Sequence, residues 1–275
     1  MSEPFSLPAS PPADEPAAEP PPPPEPATAA GPLASLLLAI GALVAFSLLQ
    51  TVAMLGLVAI DASRQGVPVE SLMTHLTANM GWSFSVATLL ATPPLVVLAI
   101  GGLYLLARRN HANPATAVRR HLGLGRPHLL PLLLWALVTT GYVYLFGWLG
   151  QLLDRPPLPQ FMIDFHATAG SAWLLGAAVV IGAPVVEELL FRGVVLPGFV
   201  PLRHGRLVGV LLSAFLWAGI HLQYDLFDMS AIFVLGLIFG AARLHDRSLW
   251  TPFLLHALFN LAALAQLLDA LGPIP

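Results

Sequence analysis

The sequence predicts an all-α, polytopic membrane protein: a bundle of about seven transmembrane helices behind a proline-rich N-terminal tail. Three observations carry that prediction. Hydrophobic residues make up 56% of the 275 and charged residues only 10%, against about 25% charged in a soluble domain. The mean hydropathy is +0.77. From Pro32 onward, long apolar runs alternate with short polar breaks, and roughly 20 apolar residues suffice to cross the hydrocarbon core as a helix.

The tail comes first. Its first thirty residues hold eleven prolines, including the run Pro20 to Pro24, and five acids with no base. Such a segment cannot bury a core, so residues 1–31 are expected to be disordered with polyproline II character. A secretory signal begins with a basic region; this one is acidic, so no cleavage is expected. A solvated tail is favoured over a proline-rich ligand for a partner.

Residues 32–272 then form the membrane domain. Hydropathy places spans at about 33–60, 80–107, 128–153, 171–198, 206–223, 229–244 and 249–270. Breaks fall at 61–65, 108–126, 154–159, 201–206, 224–228 and 245–248. Pro184 lies inside the fourth run and predicts a kink there. Arginine placement sets the orientation through the positive-inside bias. With Arg108, Arg109, Arg119, Arg120 and Arg126 cytoplasmic, alternation puts Arg203, Arg206, Arg243 and Arg247 on the same side. Only Arg64 and Arg155 fall outside. The N-terminus is therefore expected in the cytoplasm and the C-terminus outside. One re-entrant segment among the short last runs would invert every later span.

Composition also excludes. Without cysteine there is no disulfide, thiolate metal site or cysteine nucleophile. A net charge of -3 gives no reason to expect a nucleic-acid partner. All twelve basic residues are arginine, a bias that fits GC-rich bacterial coding and hence a bacterial cytoplasmic (inner) membrane.

Against this apolar background, "PVVEELLFRG" places Glu187, Glu188 and Arg192 inside a span. Ionisable groups at bilayer depth are expensive and face a protein interior or an aqueous cavity. Residues four apart share a helix face, so Glu188 pairs with Arg192. Glu187 lies about 140° round the helix from Arg192 and is expected to lack that partner. A buried carboxylate without a cationic neighbour suits a general base. The two acids thus divide into a structural and a chemical one. His256 and Asn260 also share a face, and His221 follows Trp217 by one turn in "WAGIH".

Depth provides an independent check. The turn between the fourth and fifth runs centres near His204, with Glu187 and His221 equally far from it in sequence. Both side chains then sit ~25 Å from the turn, and His256 ~15 Å from the same face, at 1.5 Å rise per residue. Each group alone has a plainer reading: an ion pair that holds a bundle, a hydrogen-bonded core histidine, an amide joining two helices. Two acids, two histidines and an amide on three helices at compatible depth favour a site. His75, His111, His121, His128, His166, His204 and His245 fall in loops or at span ends and are assigned no role.

"EELLFR" matches an EExxxR motif, "WAGIH" an FxxxH motif with Trp217 in place of phenylalanine, and "HALFN" an HxxxN motif. In order and spacing, residues 171–268 resemble the CAAX prenyl protease 2 family of intramembrane endopeptidases, the CAAX protease and bacteriocin-processing (CPBP) group. The resemblance implies a helical core around a water-accessible cavity. It also implies roles: Glu187 and His221 activate the attacking water, while His256 and Asn260 stabilise the oxyanion. Glu188 and Arg192 would support the site. No certain cofactor is implied. Zinc could be held by Glu187, His221 and His256 with an open position for water, but the absence of an HExxH pair favours metal-free chemistry.

The expected activity is hydrolysis of a peptide bond in a membrane-associated protein or peptide. Two other classes compete. A non-enzymatic scaffold or bacteriocin-immunity protein of the same fold has no need for the whole residue set. A proton-coupled transporter would use intramembrane acids, but the chain lacks an evident repeat symmetry of the transporter kind.

Overall fold

A computed structural model describes residues 28–274; residues 1–27, and with them most of the tail, lie outside the described residues. Every regular element among the described residues is helical. In chain order these are α1 (Pro32–Gln65), the short α2 (Leu72–Ala78), α3 (Met80–Ala107), α4 (Pro114–Leu122) and α5 (Leu129–Leu152). The short α6 (Gln160–Ala167), α7 (Ala172–Phe199), α8 (Gly205–Gly219), α9 (Leu226–Asp246) and α10 (Trp250–Leu271) complete the chain. Six of them (α1, α3, α5, α7, α9 and α10) are long and apolar enough to cross a membrane. The shorter α8 spans ~22 Å at 1.5 Å per residue and connects opposite ends of the bundle, so it serves as the seventh crossing.

α7 is the centre of the bundle. Half of its most apolar window is buried within the protein, against 6% for α5, so α5 faces lipid while α7 faces other helices. α1, α3, α8 and α10 all pack on α7, and α9 packs on α8, α5 and α10. Around Pro184, where a kink is expected, the helix changes its winding. Residues 177–182 and 188–195 wind with i→i+5 bonds, as in Ala183 N–H to Ala178 O and Leu196 N–H to Phe191 O. Such π-helical stretches widen a helix and often accompany functional sites. Here they bracket Pro184 and Glu187, and Glu188 opens the second stretch. Close approach of α9 to α8 depends on Gly236, where an added Cβ would sit 2.8 Å from that of Ala214.

The loops sort into two ends by their hydrogen bonds. At one end, His111 Nε2 lies 3.2 Å from Thr28 O, and His121 Nε2 3.2 Å from Val194 O. Arg243 Nη2 donates to His121 O (3.2 Å), Leu249 N–H to Gly123 O (2.9 Å) and Ser248 Oγ to Gly125 O (2.8 Å). Gly123 is required there twice over. It caps α4 at φ +66°, and a Cβ would collide with the Arg243 guanidinium. This end therefore gathers the start of α1, the α3–α5 connection, the end of α7 and the α9–α10 turn. At the opposite end, Trp82 N–H donates to Thr168 O (2.9 Å), His166 Nε2 meets Gly272 O (2.9 Å) and Arg155 pairs with Asp225. The start of α1 and the end of α10 thus lie at opposite ends, as an odd number of crossings requires.

Candidate active site

The polar centre is built on α7 and completed by α8, α9 and α10. Arg192 and Glu188 are 0% and 1% exposed. Their salt bridge is 3.0 Å, as the i,i+4 spacing predicts. A guanidinium this deep needs further partners. It donates to Gly236 O at 3.2 Å and lies over the rings of Trp217 (4.4 Å) and Phe239 (5.7 Å). Those ring faces supply cation–π attraction in a dry site.

Glu188 does more than hold Arg192. Its Oε1 also accepts from His256 Nδ1 at 2.9 Å, which sets the imidazole tautomer and turns the Nε2 edge elsewhere. That edge faces Glu187, with His256 Nε2 3.8 Å from Glu187 Oε2. Glu187 does lie off the Arg192 face, as helical geometry requires, but it is not partnerless: the Trp217 indole N–H donates to its Oε2. The Glu187 side chain is 14% exposed where that of Glu188 is 1%. Of the two carboxylates, Glu187 is the one open to a small molecule.

His221 sits just past the end of α8. Its Nδ1 lies 2.7 Å from Trp217 O; a carbonyl can only accept, so Nδ1 carries the proton and Nε2 keeps its lone pair. Trp217 is the hub of the centre. Its ring is 5.5 Å from His221, 5.1 Å from His256 and 5.8 Å from Phe239 by centroids. In the sequence Trp217 stands out only as an aromatic replacing phenylalanine. The overlooked signal is chemical, since indole carries a donor that phenylalanine lacks.

Asn260 is half-buried, and its amide Nδ2 donates to Val179 O at 2.7 Å. The reason lies in α7. In an i→i+5 winding, Val179 O would accept from residue 184, and Pro184 has no N–H. Asn260 fills that vacancy and ties α10 to α7. The partners of His221 and Asn260 are thus backbone carbonyls, whereas Glu187 is held by Trp217 and faced by His256. Glu187, His221 and His256 do not assemble a metal site: among the described residues no three His, Asp or Glu side chains lie close enough to hold an ion.

Tyr224 extends the centre toward the surface. Its ring stacks on that of His221 at 6.2 Å, and its N–H donates to His221 O at 3.1 Å. Burial pushes its hydroxyl up to about 12, with the Asp228 and Glu187 carboxylates adding to the effect, so it stays a neutral donor at any working pH.

An apolar seven-helix bundle with carboxylates, imidazoles and a guanidinium gathered at its core is an integral membrane protein with a buried polar centre. The model of the Rce1-like type II CAAX prenyl endopeptidases matches residues 169–262, an interval that contains Glu187, Glu188, Arg192, His221, His256 and Asn260. The chain belongs to the Rce1-like type II CAAX prenyl endopeptidase family. It is also 34% identical over 153 residues to an uncharacterised 24.3 kDa protein of Escherichia coli, covering 55% of this chain and 68% of that one. No solved structure matches the chain.

Proposed function

We propose that the protein is an intramembrane endopeptidase of the bacterial cytoplasmic membrane, with its N-terminus in the cytoplasm, and that it hydrolyses a peptide bond of a membrane-associated protein or peptide. One observation carries the reading: Glu187 is the accessible carboxylate, held by Trp217 and facing His256, while its neighbour Glu188 is enclosed with Arg192. An oriented carboxylate beside an imidazole is what water activation needs.

In this mechanism Glu187 takes a proton from water as the water oxygen attacks the scissile carbonyl. The Nε2 lone pair of His221 orients the same water. The developing oxyanion is met by the His256 ring and by the second amide hydrogen of Asn260. Preorganised donors of this kind act where charge develops. Glu187 then delivers its proton to the departing amine, leaving a free carboxylate and a free amine. Glu188 and Arg192 are positioning residues, acting through His256 and Trp217.

The test compares membrane proteomes of cells carrying the wild-type protein or Glu187→Gln. An uncut precursor should accumulate in the variant. Indistinguishable termini across the membrane proteome, with the variant present at normal abundance, would overturn the proposal.

A further inference from the structure

A surface groove of ≈ 320 Å³ lies between α6 and the α8–α9 turn, lined by residues that include Arg155, Gln160, Phe161, Gln223, Tyr224 and Asp228. Three features single it out. First, it adjoins the candidate active site: Tyr224 lines it and stacks on His221. Second, its chemistry is mixed. Phe161 and Tyr224 meet edge to face at 5.7 Å and form an apolar floor, with the amides of Gln160 and Gln223 among its lining residues. Arg155 is paired with Asp225, which also caps α9, and Asp228 adds a second carboxylate to the same lip. Two acids against one base leave the groove negative. Third, it sits at the end of the bundle where Arg155 pairs with Asp225, opposite the end that gathers the α3–α5 connection and the α9–α10 turn. Those two connections carry Arg108, Arg109, Arg119, Arg120, Arg126 and Arg247, and Arg243 lies beside them in the last turn of α9. Arginine-rich connections stay in the cytoplasm.

We infer that this groove opens on the extracytoplasmic side and receives an extended polypeptide segment bearing a basic side chain, which it leads past Tyr224 to His221 and Glu187. A volume near the lower end of the ~300–1,000 Å³ typical of ligand sites suits a few side chains, not a folded domain. The apolar floor takes one side chain of the segment, the amides its backbone, and Asp228 the basic group. Naming the segment a substrate rests on the peptidase reading; the side on which the groove opens and its preference for a cation do not.

The chain has no cysteine, so single introduced cysteines report without background. Gln223→Cys and Gln160→Cys probe the groove at two exposed positions, and Asn110→Cys probes the arginine-rich end. In intact cells a membrane-impermeant maleimide should label both groove cysteines, and Asn110→Cys only after permeabilisation. The reverse pattern would place the groove in the cytoplasm and overturn the inference. Occupancy is then read in purified protein carrying Glu187→Gln. The peptide Ala-Leu-Phe-Lys-Leu-Ala should slow labelling of Gln223→Cys at about tenfold lower concentration than its counterpart with glutamate for lysine, as expected for one charge pair. Asp228→Asn should erase that difference. Equal protection by both peptides, or none, would overturn the assigned ligand. Because protection is read without cleavage, a groove that binds as expected beside an unchanged proteome would sink the peptidase reading alone.

Discussion

Glu187 and Glu188 are adjacent in the chain and differ in every physical respect that matters. Glu188 shares its carboxylate between Arg192 and His256 with no access to water, while Glu187 is partly open and held by one indole N–H. Glu188→Gln and Arg192→Gln should each leave an uncompensated buried charge and cost about 3–5 kcal/mol. Both variants should melt earlier in detergent, and the double variant should recover part of the loss. Glu187→Gln should melt like wild type and be inactive. If instead Glu188→Gln is stable and dead while Glu187→Gln unfolds, the two roles are exchanged. Trp217→Phe keeps an aromatic face toward Arg192 and removes the indole donor. It should fold normally and lower kcat about 10- to 100-fold with KM little changed, the rate equivalent of a charged hydrogen bond of ~1.5–3 kcal/mol. A kcat equal to wild type would show that the indole N–H orients nothing that matters.

At the scale of elements, α7 is unusual because its backbone leaves the α-register on both sides of Pro184. The vacancy at Val179 O is closed from α10 by Asn260. Asn260→Ala should therefore lower the melting temperature as well as kcat, since an orphaned buried carbonyl costs about 1–3 kcal/mol. A drop in kcat at unchanged stability would mean that the amide serves the oxyanion alone. The docking of α4 makes a separate prediction. Burial, reinforced by nearby Arg243, lowers the His121 pKa from 6.5 to about 4 despite its bond to Val194 O. Folded His121 therefore refuses a proton that the unfolded chain accepts between those values. Its contribution is fully present above pH 6.5 and is lost as pH falls toward 4, by on the order of 3 kcal/mol. Melting at pH 7.5 and pH 5 should show the drop, and His121→Gln should flatten it.

For the whole molecule, the two sets of loop contacts define a top and a bottom without reference to any membrane. The start of α1 lies at the arginine-rich end and the end of α10 at the other. A tag on the N-terminus should resist protease added to intact cells, and a tag on the C-terminus should be cut. Protection of both tags would mean that α8, the shortest of the seven, turns back instead of crossing.

Much of this was legible in the sequence, for identifiable reasons. Hydropathy located the six long helices to within five residues at either end because a bilayer demands about 20 apolar residues whatever their neighbours do. The Glu188–Arg192 pair came from helical periodicity, a local rule. The three motifs identified the family because their order survives without knowledge of packing. What tertiary structure decided was the other half of each polar bond. His256 between the two glutamates, Trp217 on Glu187 and Asn260 on Val179 join residues 68, 30 and 81 apart in sequence. Those contacts depend on how far each helix is rotated and on the wide turns around Pro184. Periodicity says which residues share a face of one helix. Only packing says which face of another helix they meet.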